Sequence, residues 1–317
     1  MLNKIKAFLR NNTSYGKTRY LNYLYRYDAD RYFKHSAMSR SDAQIIAGKI
    51  RLLVHALEKG LSVKEQKSDF GKEKAVALLD FIREYQACDS NPDPQAVELA
   101  KAALGSYAQN RIEKGEDVSF IPETFRTESE QAGTMLHSKG DCREFEKIAR
   151  NRHSIRAFSE GSVSTDQIYA AVKLAQTAPS ACNRQATHIY ACTNSEKIAQ
   201  IVAKHGGLRG FSNIGSIIAI TGELGLYQGE YERNTVFVDG GIFLMNLLYA
   251  LEANDLAACP IIWGAEPDND GFLYQLLEIP ESQEIISLVA TGNYPEGAIK
   301  IPRSYKREPR DILHLIE

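Results

Sequence analysis

A short basic stretch, RNRHSIR at residues 150–156, holds the residue types best suited to bind an anion. Arg152, Ser154 and Arg156 alternate along it, and alternate side chains of an extended segment share one face. Two guanidinium groups and a hydroxyl on one face suit a phosphate, because each guanidinium donates paired, charge-assisted hydrogen bonds to its oxygens. The stretch therefore predicts a phosphate contact, and a solvated basic turn before a helix is the alternative.

The composition limits the function classes. The chain has 317 residues, a net charge of −2, 44% hydrophobic and 25% charged residues, values typical of soluble globular proteins. The balanced charge does not favour nucleic-acid binding. The five cysteines have no CxxC spacing, so they predict neither a disulfide framework nor a metal site. We expect a reducing, cytoplasmic location.

No membrane segment is expected from the sequence. The first ten residues are basic and lack the apolar core of a signal peptide. We find no run of about 18 apolar residues, the length that a spanning helix needs.

Residues 1–140 are predicted to form an all-helical region and a linker. A capping pattern at Ser41 precedes apolar residues at helical spacing up to Leu57. His55 and Glu58 share a helix face, which indicates a structural pair more often than a functional one. The tyrosine-rich segment 15–33 is expected to lie over another surface. For the residues of this region, a role in packing is favoured over a role in catalysis or binding. We expect the region to narrow access to a site elsewhere in the chain.

Residues 141–317 alternate between helix and strand, which predicts an α+β domain of three layers, sheet and helices. Strands are predicted at 187–193, 214–221, 256–262 and 284–291, with a long apolar helix at 234–253. A loop of small and polar residues, 178–185, precedes the first strand. Gly240 and Gly241 lie within the long helix, and they predict the close approach of another helix.

An ordered set of short motifs in the second part of the chain is typical of one enzyme family. RHSIRAF at 152–158, PSACNRQ at 179–185, DGG at 239–241 and TGNYP at 291–295, followed by a basic tail, resemble the nitroreductase family of FMN enzymes. The resemblance extends over most of residues 145–312, and the helical first part is additional to it. It implies a three-layer α+β fold, an intertwined homodimer, and FMN at the dimer interface with residues from both chains.

The resemblance also assigns roles to the basic stretch. Arg152 is implied to hold the FMN phosphate, Ser154 to contact the ribityl–phosphate region, and His153 to belong to the same segment. Arg156 is implied to face the N1/C2-carbonyl edge, where reduced FMN carries negative charge that a fixed cation stabilises.

Other flavin contacts are implied on three separate segments. Ser180 and Asn183 match the loop that reaches the partner's flavin. The loop that passes flavin N5 matches Pro260, Ile262 and Trp263, and Trp263 either stacks on a ring or belongs to the core. Arg307 matches a phosphate contact in the C-terminal tail, with Lys306 as the alternative.

The implied activity is hydride transfer through flavin N5 between NAD(P)H and a small organic acceptor such as a nitro compound or quinone. Two alternatives remain: an FMN-dependent dehydrogenase of a biosynthetic pathway that uses no nicotinamide, and a flavin-binding interaction protein. The sequence departs from many family members at Ala186-Thr187 and at Ile262-Trp263. These departures bear on the identity of the substrate more than on that of the cofactor. No catalytic acid or base is predicted, and His153 and Tyr294 are candidates by residue type alone.

Overall fold

The computed structural model describes residues 13–63, 66–127, 129–134, 143–264, 267–297, 301, 306 and 308–316. Before the sheet, these residues form four long helices: α1 (Ser14–His35), α2 (Ala43–Leu61), α3 (Lys72–Gln86) and α4 (Ala96–Glu113). The N-cap of α2 is Asp42 rather than Ser41, since the Asp42 carboxylate accepts a hydrogen bond from Ile45 N. Helices α2, α3 and α4 enclose a core of their own, which includes Ile50, Leu78 and Leu104.

The second part contains the sheet. In chain order its long elements are α5 (Arg143–Asn151), α6 (Thr165–Ala175), β1 (Thr187–Cys192), α7 (Ser195–Lys204), β2 (Ser216–Glu223), α8 (Thr235–Ala253), β3 (Leu256–Ile262), α9 (Pro267–Leu277) and β4 (Gln283–Asn293). The strand order is β1-β2-β4-β3, and every neighbouring pair is antiparallel. Helix α5 was not predicted, because it is short and six of its nine residues are polar.

Helices cover both faces of the sheet. Ile217 and Ala219 of β2 pack with α7 and α9, whereas Ile218 and Ile220 pack with α6 and α8. This alternation is expected for a strand that is buried on both faces, because its side chains point to opposite sides with a period of two. The predicted fold class, a three-layer α+β domain preceded by a helical region, is confirmed.

The first glycine of the pair in α8 faces the sheet. A Cβ atom added to Gly240 would lie 2.1 Å from Ile286 Cδ1 of β4, while the space around Gly241 is open. Gly240 therefore lets α8 approach the sheet closely, and the approach of another helix at the glycine pair, where Gly241 is open, stays a prediction. Sequence spacing shows that a close approach is needed but does not show which element approaches.

Helix α8 is also the most apolar helix described. The segment Glu230–Ala253 is long and apolar enough to cross a membrane by length and composition, with a mean hydropathy of 1.5. Core helices of soluble proteins pass the same test, and one side of α8 packs on the sheet through Leu247 and Leu251. Its other side exposes Phe237, Val238 and Ile242.

The helical region packs against the sheet domain. The Tyr32 hydroxyl of α1 donates to Gly229 O at 2.7 Å, and Arg31 Nη1 donates to Glu284 Oε2 of β4 at 2.8 Å. Gly48 of α2 lies against Leu226, where an added Cβ would be 3.3 Å from the Leu226 Cα. The C-terminal end of the tyrosine-rich segment covers a surface through Tyr32, whereas Tyr15, Tyr23 and Tyr25 are exposed.

The buried pair between α1 and β4 predicts a pH dependence of stability. Burial raises the pKa of Glu284 from its ordinary 4.5 to about 7, although Arg31 opposes this, and Asp270 and Asp28 add to it. The folded state therefore binds more protons than the unfolded state between these pH values, so the free energy of unfolding falls as the pH rises through them. At ~1.4 kcal/mol per pKa unit, the upper limit of this loss is ~3.5 kcal/mol.

We expect Glu284→Gln to flatten this pH dependence, because the amide cannot ionise. Urea unfolding at mildly acidic and mildly alkaline pH measures it. Glu281→Gln is the matched control, since Glu281 is exposed and also contacts α1, through Lys34. An equally steep loss in Glu284→Gln would assign the titration to another group.

Candidate functional site

The basic stretch runs along the edge of the sheet. Helix α5 ends at Asn151, and the chain then becomes extended beside β3, where Ile155 N donates to Ala258 O at 3.0 Å. Ser154 and Ala258 form a parallel bridge. Phe158 anchors the far end of the stretch in the core beside Gly292. The extended conformation that the alternating Arg and Ser spacing requires is thus present.

The Cys259 thiol of β3 shows that the functional groups of this stretch are clustered. Burial raises the pKa of the thiol, and the charges of Arg156 and Arg152 and a hydrogen bond with Ser154 oppose that rise. Arg156 Nη1 donates to Ser154 O at 3.2 Å, while His153 Nδ1 lies 2.6 Å from Asn151 O. The structure therefore brings two guanidinium groups, a hydroxyl and an imidazole to one edge of the sheet.

The end of β3 lies beside this cluster in the same edge strand. Pro260 is half-buried, the Ile262 side chain is 88% exposed and Trp263 is only 9% exposed. The Trp263 ring stacks on His205, and its Nε1 donates to Asp270 Oδ1 at 2.6 Å. These contacts favour the core role for Trp263 over stacking on a bound ring.

The loop with Ser180 and Asn183 is held rigidly at the opposite edge of the sheet. Cys182, Asn183 and Gln185 have positive φ angles of 50°, 51° and 54°, which non-glycine residues adopt only when their surroundings impose them. The Ser180 hydroxyl accepts a hydrogen bond from Gln185 N at 3.0 Å, and Asn183 is exposed.

Arg184 is the residue that holds this loop. Its guanidinium is fully buried and donates to both carboxylate oxygens of Glu232, at 2.9 and 2.7 Å, and to Ala181 O at 3.1 Å. Asp239 of α8 completes the support, because its two oxygens accept from Ala181 N and from the Tyr227 hydroxyl, each at 3.0 Å. The pair of Arg184 and Glu232 was not predicted, because the two residues are 48 positions apart and no local pattern joins them.

One chain does not bring the two groups of predicted flavin contacts together. The Arg152–Arg156 group borders β3, whereas the Ser180 loop leads into β1, and these are the two edge strands. Three strand spacings of ~4.8 Å separate them by roughly 14 Å. The other two predicted contacts lie in the tail: Lys306 is exposed, and Arg307 lies outside the described residues.

Three further sequence candidates have structural partners. The Tyr294 hydroxyl donates to Glu252, and burial together with that carboxylate raises the Tyr294 pKa, so this tyrosine is a poor acid at neutral pH. Glu58 accepts a hydrogen bond from Gly133 N at 3.1 Å and lies 3.8 Å from His55 Nδ1, which favours the structural role of that pair.

A cavity of about 310 Å³ lies between the helical region and the Ser180 loop. Gln44 and Arg51 of α2 line one side, and Ser180 and His188 line the other. Arg51 forms a two-point ion pair with Asp93, with N–O distances of 2.5 and 3.0 Å. The helical region thus covers one side of a predicted flavin contact.

The nitroreductase family model matches residues 149–207, which include the basic stretch, the Ser180 loop, β1 and α7. This part of the chain is similar to the nitroreductase family. The chain is also similar to solved structures of that description. A nitroreductase with bound FMN from Bacteroides fragilis is 20% identical, and the match covers 55% of this chain and 99% of that one, with a TM-score of 0.44.

A nitroreductase family protein from Streptococcus pneumoniae is 19% identical, with coverage of 54% and 100% and a TM-score of 0.47. No curated protein matches the chain. The family match falls on the segment that holds Arg152, Ser154, Arg156, Ser180 and Asn183. The four long helices before the sheet lie outside it.

Proposed function

We propose that the protein is an FMN-dependent oxidoreductase of the nitroreductase type that transfers hydride between NAD(P)H and a small organic acceptor, such as a nitro compound or quinone. The observation that carries the proposal is the extended Arg152-to-Arg156 segment at the sheet edge, inside the part that matches the family. Its guanidinium groups and hydroxyl suit the phosphate and the electron-rich edge of FMN.

The protein's own contribution is position and charge. Arg152 binds the phosphate, and Arg156 places a fixed cation at the N1/C2-carbonyl edge, where negative charge grows on reduction. Bound FMN supplies the hydride chemistry at N5. Ile262 and Pro260 shape the surface beside N5. Tyr294 is hydrogen-bonded to Glu252, and His153 to the carbonyl of Asn151, so we assign neither as a catalytic acid.

Two measurements test this function. The purified protein should be yellow, and the released chromophore should be FMN. Anaerobic mixing with NADH or NADPH should bleach the flavin, and a quinone or nitroarene should restore the colour. A yellow protein that neither nicotinamide bleaches would favour the dehydrogenase alternative, and a protein that neither contains nor binds FMN would refute the proposal.

We also propose a homodimer that completes each site. Ser180 and Asn183 lie at the edge opposite Arg152, so a second copy is needed to bring both groups to one FMN. The outer layer of α6 and α8 offers an apolar surface for this, because large side chains are exposed there: Tyr169, Leu174, Phe237, Val238 and Ile242.

We expect Val238→Asp to give monomers that release FMN, because it buries an unpaired charge in the proposed interface. Light scattering and the flavin content of the gel-filtration peak measure the two effects. Val76→Asp is the matched control, since Val76 is an exposed valine on α3, away from this layer. A wild-type monomer that holds FMN would exclude the shared site.

We further propose that the helical region limits which acceptors reach the flavin. The cavity between Arg51 and Ser180 supports this, because it places α2 over a predicted flavin contact. We expect Arg51→Ala to raise turnover with a bulky dye relative to a small quinone. A point variant is preferable to removal of residues 1–140, which would leave Glu284 buried without Arg31. An unchanged ratio with intact FMN would favour a docking role for the helices.

A further inference from the structure

The segment at the end of β3 is linked to helix α1 through buried polar groups of α9 and β4. We propose that α1 positions this segment, through Asp270 and Trp263, and so sets the properties of the flavin beside it. Trp263, Asp270 and His205 are then positioning residues, and Arg31 is their link to α1. The proposal rests on the FMN assignment above, but its first test does not need the cofactor.

Trp263 is fixed in two directions. Its Nε1–H donates to Asp270 Oδ1 at 2.6 Å, and its ring lies 5.6 Å from the His205 ring at an angle of 27°. Both Trp263 and Asp270 are buried, with exposed fractions of 9% and 1%. A hydrogen bond of this length to a carboxyl oxygen is strong in such surroundings, so it holds the indole in one orientation.

His205 extends this support to the backbone. Gly207 N donates to His205 Nδ1 at 3.1 Å, which makes Nδ1 an acceptor and leaves the proton of the neutral ring on Nε2. Nε2 then donates to Ile262 O at 2.9 Å. The peptide between Ile262 and Trp263 is therefore held through its carbonyl, and the residue after it through its indole. Ile262 itself projects outward on this fixed backbone.

Asp270 connects the same segment to α1. It lies one helical turn before Tyr274 on α9, so the two side chains share a face. The Arg31 guanidinium of α1 covers the Tyr274 ring at 5.1 Å and pairs with Glu284 at 2.8 Å. Burial raises the pKa of Asp270, and the Trp263 hydrogen bond and the Arg31 charge oppose that rise.

Loss of Arg31 should therefore loosen the packing of the Trp263 indole, although the two side chains do not touch. Without Arg31, Asp270 and Glu284 are two buried carboxyl groups with no cation between them, and Asp270 will take up a proton more readily. A neutral carboxyl group accepts a weaker hydrogen bond than a carboxylate, so the indole is held less firmly. The Ile262 backbone then loses one of its two supports.

Trp263 is the only tryptophan of the chain, so intrinsic fluorescence reports on this residue alone. In FMN-free protein, we expect Arg31→Met and Asp270→Leu to red-shift its emission and to increase quenching by acrylamide. Asp270→Asn should change less than Asp270→Leu, because the amide oxygen still accepts from Nε1 but carries no charge. Lys34→Met is the control on the same helix, since Lys34 makes only an exposed ion pair with Glu281.

The second measurement is the midpoint potential of bound FMN. We expect it to shift in Arg31→Met and Asp270→Leu, to shift less in Asp270→Asn and to stay unchanged in Lys34→Met. Arg31→Lys, which keeps the charge, should give a smaller change in the same direction. It replaces Arg31→Met in this test if Arg31→Met does not fold. Wild-type fluorescence in the Arg31 variants would refute the link to α1. Altered fluorescence with an unchanged potential would refute positioning of the flavin segment, and failure to bind FMN would refute the proposed function alone.

Discussion

Replacement of Arg152 by alanine is expected to weaken FMN binding by about 2–5 kcal/mol, since the phosphate charge loses its paired donor. Every 1.4 kcal/mol corresponds to about a tenfold change in the dissociation constant, so the variant should purify largely without flavin. Arg152 is half-buried at the start of the extended segment, and its charge acts on the buried Cys259 thiol of β3. Titration of apoprotein with FMN, followed by flavin fluorescence, measures the loss.

Arg150→Ala is the matched control for this experiment. Arg150 is two residues away but is exposed on α5, where it pairs with Glu146 across one helical turn. Its removal should leave the affinity for FMN unchanged. If Arg152→Ala bound FMN as tightly as the wild type, the phosphate would have to be held elsewhere, and the role of the basic stretch would be wrong.

Replacement of Arg184 by alanine is expected to destabilise the fold by about 3–5 kcal/mol, because it leaves the Glu232 carboxylate without its buried partner. Arg184 is 0% exposed, and it also stacks over the Tyr227 ring at 4.9 Å. The loss should exceed that of an exposed ion pair such as Arg83 with Asp80, for which ~0–1 kcal/mol is usual. Urea unfolding of the two alanine variants compares them directly.

A second effect of Arg184→Ala should appear in the loop it supports. Ala181 loses the guanidinium that bonds its carbonyl, and the positive φ angles of Cys182 and Asn183 lose part of their support. We therefore expect weaker FMN binding even where the variant is folded. The double variant Arg184→Met with Glu232→Leu should regain stability without restoring the loop. Unfolding at the wild-type urea concentration in Arg184→Ala would show that the buried pair contributes little.

The sequence by itself determined the features that depend on neighbouring residues. The alternation of Arg152, Ser154 and Arg156 predicted an extended segment with a shared face, and the segment is extended beside β3. Apolar or strand-like runs predicted β2, β3 and β4, and alternation predicted β1, each within one or two residues at both ends. The ordered motifs predicted the similarity to nitroreductases that the family model finds at residues 149–207, since residue types and spacing are local properties of the chain.

Only the tertiary structure decided which distant residues meet. Arg31 and Glu284 are 253 positions apart, and Arg184 and Glu232 are 48 apart. The energy of such pairs depends on burial, which no local spacing encodes. The same holds for Gly240, whose neighbour is a strand, and for Trp263, whose burial removes it from the surface. The strand order also decided that the Arg152 segment and the Ser180 loop lie at opposite edges, because antiparallel pairing joins strands regardless of their distance in sequence.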